Sequence, residues 1–331
     1  MRPAGRRRRA LWILVRAVIG FVLLGFVLTR LDTRGMIEAL AAPVWPAVAG
    51  ACAAQLAAKL VWAQRWREIL RANGLERRFA DLLALVFMGL FFNSFLPTSV
   101  GGDLVRGYYA SRGREGMVAS YAVLLVERSL GMITLASMAT LAAGIALAGG
   151  GTPLSRELLV WITVGGAAIT AAGTLAFGWH GWRRRLIDGE PFGARLAQAA
   201  RGLDRALDLF RSPRAPRIRI VVNSFLLQVI AVLFHIGCAR AVGLETAAGV
   251  FFLIVPASVV ASMLPVSLNG LGLREGVLVA LLVAVGAPAE TAGAFAVLAL
   301  LVSSAFALVG GVVYPFYNAS RGEPGRVPLD S

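Results

Sequence analysis

The chain has 331 residues, of which 58% are apolar and only 15% charged, with a mean hydropathy of +0.73. An ordinary globular chain carries about 25% charged residues. This composition excludes a disordered chain, a collagen-like one and a disulfide scaffold, and it argues against a soluble enzyme. The net charge of +15 is almost all arginine, Lys59 being the only lysine. The arginines fall in short stretches between apolar runs. That is the bias that orients membrane helices, not the footprint of a nucleic-acid binder.

Spanning a bilayer takes about 20 mostly apolar residues. Met1–Thr29 opens like a signal peptide, with five arginines before an apolar run. The run Leu11–Thr29 is longer than such a leader needs and no small-residue cleavage site follows, so it is predicted as a retained first helix. Five further spans are predicted at Val44–Ala63, Met117–Ala148, Leu158–Trp179, Ile218–Arg240 and Thr291–Tyr317. Two more apolar regions are interrupted. Ala80–Gly116 breaks at Leu96-Pro97-Thr98-Ser99-Val100-Gly101-Gly102, and Ala247–Gly286 breaks at Leu264-Pro265-Val266-Ser267-Leu268-Asn269-Gly270. Pro removes a helix donor and Gly permits non-helical dihedrals. Broken backbone at membrane depth survives only where protein or a wet cavity covers it. Two re-entrant hairpins are therefore expected.

With the N-terminus in the cytoplasm and each hairpin returning to its own side, 24 arginines face the cytoplasm and four face outward. This bias places both termini inside, in the cytoplasmic membrane. Residues 1–318 then form one integral membrane domain and 319–331 a cytoplasmic tail. In the segment 180–219, Phe192, Leu196, Ala199, Leu203, Leu207 and Phe210 recur at helical spacing opposite Arg195, Arg201, Arg205 and Arg211. An amphipathic helix on the anionic leaflet and a solvated connector helix both fit. Trp45, Trp62, Trp66, Trp161, Trp179 and Trp182 lie near predicted span ends, as an interfacial belt would. Cys52 and Cys238 lie in apolar runs and read as small core residues. No His/Cys cluster has metal-ligand spacing, and neither a metal nor a cofactor is expected.

The two breaks resemble each other. Ser94–Arg106 aligns without gaps on Ser262–Arg274, with six of thirteen positions identical and the shared core P-x-S-x-x-G-x-x-x-R. The flanks extend the likeness into halves at about 11–148 and 158–316, which the charge bias makes an inverted-topology pair. Paired inverted repeats with discontinuous helices place a transporter's substrate near the midplane, between the breaks.

Arg106 and Arg274 each follow a Gly, Gly102 and Gly270, by four residues. A half-helix begins after each break, and its free N–H groups and dipole attract anions. An arginine on its first turn adds a bidentate donor suited to phosphate, and Ser99 and Ser267 add hydroxyls. Two such cups would hold a lipid headgroup mid-membrane. The other reading is that each arginine caps carbonyls or pairs with a local acid, Asp103 or Glu275. Glu127 and Arg128 fall inside a span, where charges are costly and face an interior. Glu127 is expected to meet Arg106 or Arg274, and Arg128 to meet Asp103 or Glu275. A titrating Glu127 would couple protons to transport; a static pair is the plainer role. Lys59 is expected to snorkel towards the cytoplasmic face, and Asn93 and Asn269 to satisfy freed backbone groups. The chain contains no G-x-S-x-G, Walker A or H-E-x-x-H pattern, so no enzymatic activity is expected, and ATP-driven pumping would draw on another subunit.

At Phe92-Asn93-Ser94-Phe95-Leu96-Pro97…Gly101-Gly102-Asp103-Leu104-Val105-Arg106, at Leu264-Pro265…Asn269-Gly270-Leu271-Gly272-Leu273-Arg274-Glu275 and at Glu127-Arg128…Gly131, the chain resembles the lysylphosphatidylglycerol synthase transmembrane-region family. This is the flippase-like part of bacterial multiple-peptide-resistance proteins, also found as stand-alone polypeptides. The resemblance covers about residues 10–318. It implies that Asp103, Arg106, Glu127, Arg128, Arg274 and Glu275 occupy motif positions, and that the protein moves or handles lipid. The soluble aminoacyl-transferase domain of the full-length synthases is not among these residues, so only the transport half of that activity is carried over.

The expected fold is thus all-α and polytopic, with about six spans and two facing hairpins. The expected function is flipping a phospholipid or polyprenyl-type lipid with an anionic or phosphate-bearing headgroup, with Arg106, Arg274, Ser99, Ser267, Gly102 and Gly270 binding it. Asp103, Glu127, Arg128 and Glu275 would balance charge and gate. The alternative is a non-transporting accessory subunit of a polyprenyl-, hopanoid- or glycolipid-synthesis system. Partners outside the membrane lipid would be a lipid-synthesis enzyme or a second copy of the chain.

Overall fold

A computed structural model describes residues 33–95, 101–111, 113–149, 154–178, 203–204, 206–207, 217–262 and 271–321. The predicted first helix, the tail 319–331 beyond residue 321, and the break residues 96–100 and 263–270 lie outside it, and with them Ser99, Ser267, Asn269 and Gly270. Ten helices and no strands are found among the described residues: α1 Thr33–Ala41, α2 Trp45–Ala72, α3 Phe79–Phe95, α4 Gly101–Ala110, α5 Gly113–Gly149, α6 Arg156–Gly178, α7 Arg217–Ala241, α8 Ala248–Ser262, α9 Leu273–Ala284 and α10 Ala289–Arg321. Five of them, α2, α5, α6, α7 and α10, are long and apolar enough to cross a membrane. They coincide with the five predicted spans. The fold is all-α and polytopic.

Local sequence explains where the helices stop. Pro46 sits in the first turn of α2, where its missing N–H costs nothing. At the other end Gly74 takes φ +74°, and the Leu75 N–H bonds the Leu70 carbonyl at 2.9 Å. This left-handed close satisfies a last-turn carbonyl. Helix α7 ends the same way, with Gly243 at φ +73° and the Leu244 N–H on the Ala239 carbonyl at 2.9 Å. Both closures carry the same tripeptide, Gly74-Leu75-Glu76 and Gly243-Leu244-Glu245. Each is followed by the helix that precedes a break, α3 or α8.

Helices α2 and α7 pack antiparallel at the centre. The Val44 N–H bonds the Ala241 carbonyl at one end, at 2.8 Å, and Glu68 meets Asn223 at the other, at 3.3 Å. Gly237 lets the pair close, since a Cβ there would lie 3.0 Å from that of Ala51. The remaining pairings come in matched sets: α3 packs on α10 and α8 on α5, while α4 packs on α5 and α9 on α10. Two large apolar clusters dominate the core among the described residues, beside a small third one at Ala143, Leu159 and Leu253. One joins Trp66, Ile69, Leu82 and Met88; the other joins Phe251, Ile254, Leu278 and Phe295.

The start of α3 lies by the end of α4, and the start of α8 by the end of α9, near opposite ends of α2. Arg77, just before α3, donates to the carbonyls of Ala110 and Ser111 at the end of α4, at 3.1 and 2.8 Å. Residues 243–247 before α8 and 285–288 after α9 line one cavity of about 500 Å3, at the end where Val44 meets Ala241.

Several expectations are corrected. Trp66 is completely buried and Trp62 faces the interior charges, so neither belongs to an interfacial belt; Trp45 and Trp161 are 71% and 74% exposed, as a belt requires. Arg65 belongs not to a loop but to α2, which runs nine residues past the apolar stretch. In the segment 180–219, Leu203, Ala206 and Leu207 join the cluster of Trp66 and Ile220. The other residues that carry the amphipathic pattern, Phe192, Leu196, Ala199 and Phe210, lie outside the described residues. Arg34 lies in α1 rather than in a loop, and Met36 of that helix is buried.

Candidate functional site

The interior charges collect on one face of α2. Residues 55, 59, 62 and 66 recur at helical spacing: Gln55 meets Ser303, Trp62 meets Glu127 and the Trp66 ring lies under Arg106, all brought by other helices, while Lys59 bonds Gln55 of its own helix. Glu127, 3% exposed, accepts from three donors. Its Oε1 takes the Arg65 guanidinium at 3.2 Å and also the indole N–H of Trp62; its Oε2 takes Arg106 at 2.9 Å. Arg106 in turn donates to Asp103 at 3.2 Å, and Arg128 donates to the other Asp103 oxygen. The Arg106 guanidinium lies 4.7 Å from the Trp62 ring centre and 4.1 Å from that of Trp66. Desolvated stacking of this kind contributes about 2 kcal/mol. Arg65 also donates to Ser224 on α7 at 3.3 Å.

Arg106 is therefore enclosed. Its side chain is 2% exposed and is answered by two carboxylates. Glu127 has the geometry of the static pair, with both oxygens occupied by donors.

The helix after the second break is built differently. Gly272 adopts φ +78°, and α9 begins only at Leu273. The Glu275 side chain folds back onto the Gly272 N–H at 2.8 Å, the acidic half of a capping box, and its other oxygen holds Arg274 at 2.8 Å. Arg274 keeps 31% of its side chain exposed. It lies within electrostatic reach of Lys59 and of His235 on α7. Lys59 does not snorkel to the cytoplasmic end. It reaches back one turn to Gln55 at 2.7 Å, and Gln55 donates to Ser303 on α10 at 3.2 Å. Trp62 joins the two clusters, with the Lys59 ammonium 5.9 Å from its ring centre.

The aligned arginines are thus not equivalent. Arg274 is on the first turn of its helix, as expected, but Arg106 is on the second turn of α4, which starts at Gly101. Nor do the leading N–H groups stand free. The Gly102 N–H goes to Asn93 at 2.7 Å and the Gly272 N–H to Glu275. Both local-acid pairings occur, Arg106 with Asp103 and Arg274 with Glu275. Glu127 meets Arg106 and Arg128 meets Asp103, while Gly102 packs against Gly89 instead of facing an opening.

The Asn93 carbonyl oxygen serves as a cap that starts α4. Removing a cap of this kind costs about 1 kcal/mol, so Asn93→Ala is expected to lower the unfolding temperature of the detergent-purified protein modestly. An unchanged temperature would deny the cap any weight.

Arg65, Trp62, Gln55, Ser303 and Ser224 were not anticipated. The stripe 55, 59, 62, 66 on one helix face was the available signal.

A UPF0104 membrane protein of Methanothermobacter thermautotrophicus (strain Delta H) is 25% identical over 283 residues, 79% of this chain and 80% of the relative. A UPF0104 membrane protein of Methanocaldococcus jannaschii is 32% identical over 80 residues, 23% of each chain. With the model of the lysylphosphatidylglycerol synthase TM region matching residues 13–311, this membrane protein belongs to that family.

Proposed function

We propose that the protein carries a lipid with an anionic or phosphate-bearing headgroup between the leaflets of the cytoplasmic membrane, without catalysing a reaction on it. One observation carries this reading. Two polar clusters, each built on a broken helix and entering from opposite ends of the bundle, meet on the same face of α2 inside an otherwise apolar fold. Charges at such depth are expensive and belong to a pathway by default.

The matched helix pairings and the repeated Gly-Leu-Glu closures support an inverted repeat, with α2, α3, α4 and α5 equivalent to α7, α8, α9 and α10. Hairpins that return to their own ends support re-entrant loops, and the arginine bias supports cytoplasmic termini. Alternating access then amounts to rocking one half against the other around the shared polar centre.

The test is a dithionite assay on liposomes carrying dye-labelled phosphatidylglycerol. Vesicles with the wild-type protein are expected to expose inner-leaflet dye faster than protein-free vesicles. Arg274→Ala loses this with its fold intact, and Arg106→Ala loses it together with stability. Protein-containing vesicles that match empty ones would remove the transport reading, and a stable complex with a lipid-synthesis enzyme would then favour the accessory subunit.

A further inference from the structure

Helix α10 carries an exposed stripe. Leu301, Ser304, Ala305, Leu308 and Val312 follow one another at helical spacing on one side of the helix, and all of them are exposed. The repeat gives this side a counterpart. Arg106 and Arg274 are 168 residues apart, and packing keeps the same interval between α5 and α10. Gly310 of α10 closes on the Phe87 backbone of α3. Moved by 168 residues into the other half, that contact becomes Ala142 of α5 on Val255 of α8. The structure packs Ala142 in one apolar cluster with Leu253, a close neighbour of Val255. Moved by the same interval, Leu301, Ser304, Ala305 and Leu308 become Ile133, Ala136, Ser137 and Thr140 of α5. These are the residues that α6 covers. Gly173 of α6 faces Ile133, Gly166 faces Thr140 and the Ala136 carbonyl, and Thr170 hydrogen-bonds Ser137 at 3.2 Å. On α5 they are half-buried; on α10 their counterparts are exposed.

We infer that residues 11–29 run antiparallel along α10 and cover this stripe as α6 covers its counterpart on α5, with Gly20 opposite Leu308 as Gly166 is opposite Thr140. Two observations choose this occupant. Helix α6 opens the second half of the repeat, so its counterpart is the apolar run Leu11–Thr29 that opens the first. The first described helix also stands in the right place. Helix α1 packs on α10, and its Met36 shares an apolar cluster with Ala292 and Phe295 near the start of α10. Gly20 precedes Thr33 by 13 residues, and Leu308 follows Phe295 by 13. Each interval is about 20 Å along a helix, so a helix leading back from α1 brings Gly20 level with Leu308. The pairing has a consequence for the halves. Helix α6 belongs to the second half by sequence and rests on α5 of the first; residues 11–29 belong to the first and rest on α10 of the second. Each half is thereby strapped to the other.

The test is disulfide crosslinking of the full chain in liposomes, in a Cys52→Ala, Cys238→Ala background. Leu308→Cys is combined with a cysteine at each residue from 17 to 24 in turn, and the protein is oxidised with copper phenanthroline. Crosslinks within one chain are expected with helical periodicity. A disulfide needs its two Cα atoms within about 7 Å, so yields at Ala17, Gly20 and Leu24 are expected to exceed those at Val18 and Val22, on the far side, roughly tenfold. Leu301→Cys, seven residues nearer α1, is expected to move the maximum to the neighbourhood of Val27. No crosslink anywhere from 17 to 24 would overturn the assignment. So would Leu308→Cys alone linking two chains, since a second copy would then occupy the stripe. A spin label at Leu308→Cys as open to lipid-dissolved oxygen as one at Leu175→Cys, on the exposed side of α6, would overturn it as well, with the bilayer as the occupant. The inference rests on the repeat and not on transport; none of these outcomes reads dye exchange, so the two readings fall separately.

Discussion

Replacing Glu127 with glutamine is expected to destabilise the protein by about 3–5 kcal/mol, the cost of removing one partner from a buried ion pair. Glutamine keeps the shape and loses the charge. Arg65, Arg106 and Trp62 all point N–H donors at the two oxygens. Whichever way the amide turns, its NH2 faces a donor, and at least one guanidinium loses its acceptor. Asp103→Asn is the comparison that decides the mechanism. Asp103 also holds two arginines, but Arg128 is 45% exposed and recovers solvation when released. The loss there is expected to be clearly smaller. A double variant, Arg65→Met with Glu127→Leu, removes the Arg65 charge together with its acceptor and leaves Arg106 on Asp103. It is expected to regain part of the stability, with a coupling of about 1–3 kcal/mol. The measurement is thermal unfolding of the detergent-purified protein. Glu127→Gln unfolding at the wild-type temperature would mean that the network holds nothing together.

Much of this architecture was legible. The five spans follow from apolar runs about as long as a bilayer requires, and the interruptions at Leu96-Pro97 and Leu264-Pro265 mark where helices stop. The pairs Arg106–Asp103 and Arg274–Glu275 are local in sequence and were visible as such. What stayed hidden came from long-range packing. Arg65 directly follows an apolar stretch ending at Ala63, so composition assigns it to a loop; only the α2–α7 pairing takes it inside, against Ser224 and Glu127. Trp62 and Trp66 have the position of interfacial anchors but the periodicity of an inward stripe, and periodicity was the better guide. Lys59 was read as a snorkelling cation because its partner, Gln55, is uncharged. The Gly-Leu-Glu tripeptides at residues 74–76 and 243–245 were a second repeat in plain view. Their separation of 169 residues nearly equals the 168 that separates Ser94 from Ser262. Three common residues carry little weight until both are seen to close equivalent helices.

Gly102→Ala is expected to be among the most damaging single-methyl changes at the described residues. A Cβ at residue 102 would lie 2.0 Å from the Gly89 carbonyl oxygen and 2.7 Å from its carbon. These are backbone atoms of α3, so no rotamer relieves the clash and α3 and α4 must part. Overpacking by one group costs about 1–3 kcal/mol where side chains can yield, and more where they cannot. Parting the arms also stretches the Gly102 N–H bond to Asn93 and lifts Arg106 from the Trp62 and Trp66 rings. The methyl thereby reaches the charge network although it touches no charged group. Gly89→Ala separates the two effects: its Cβ would meet the Arg106 side chain at 2.7 Å and no backbone below 3.4 Å. It is expected to displace the guanidinium and cost less than Gly102→Ala. Gly131→Ala, on the same helix as Glu127, is the control. Nothing lies within 4 Å of its Cβ, and in a helix interior alanine is favoured over glycine by about 1 kcal/mol. Unfolding temperatures in the order Gly131→Ala at or above wild type, then Gly89→Ala, then Gly102→Ala are the expected result. A Gly102→Ala protein as stable as wild type would show that α3 and α4 do not approach backbone to backbone, and Arg106 would lose the geometry that places it between the tryptophans and Glu127.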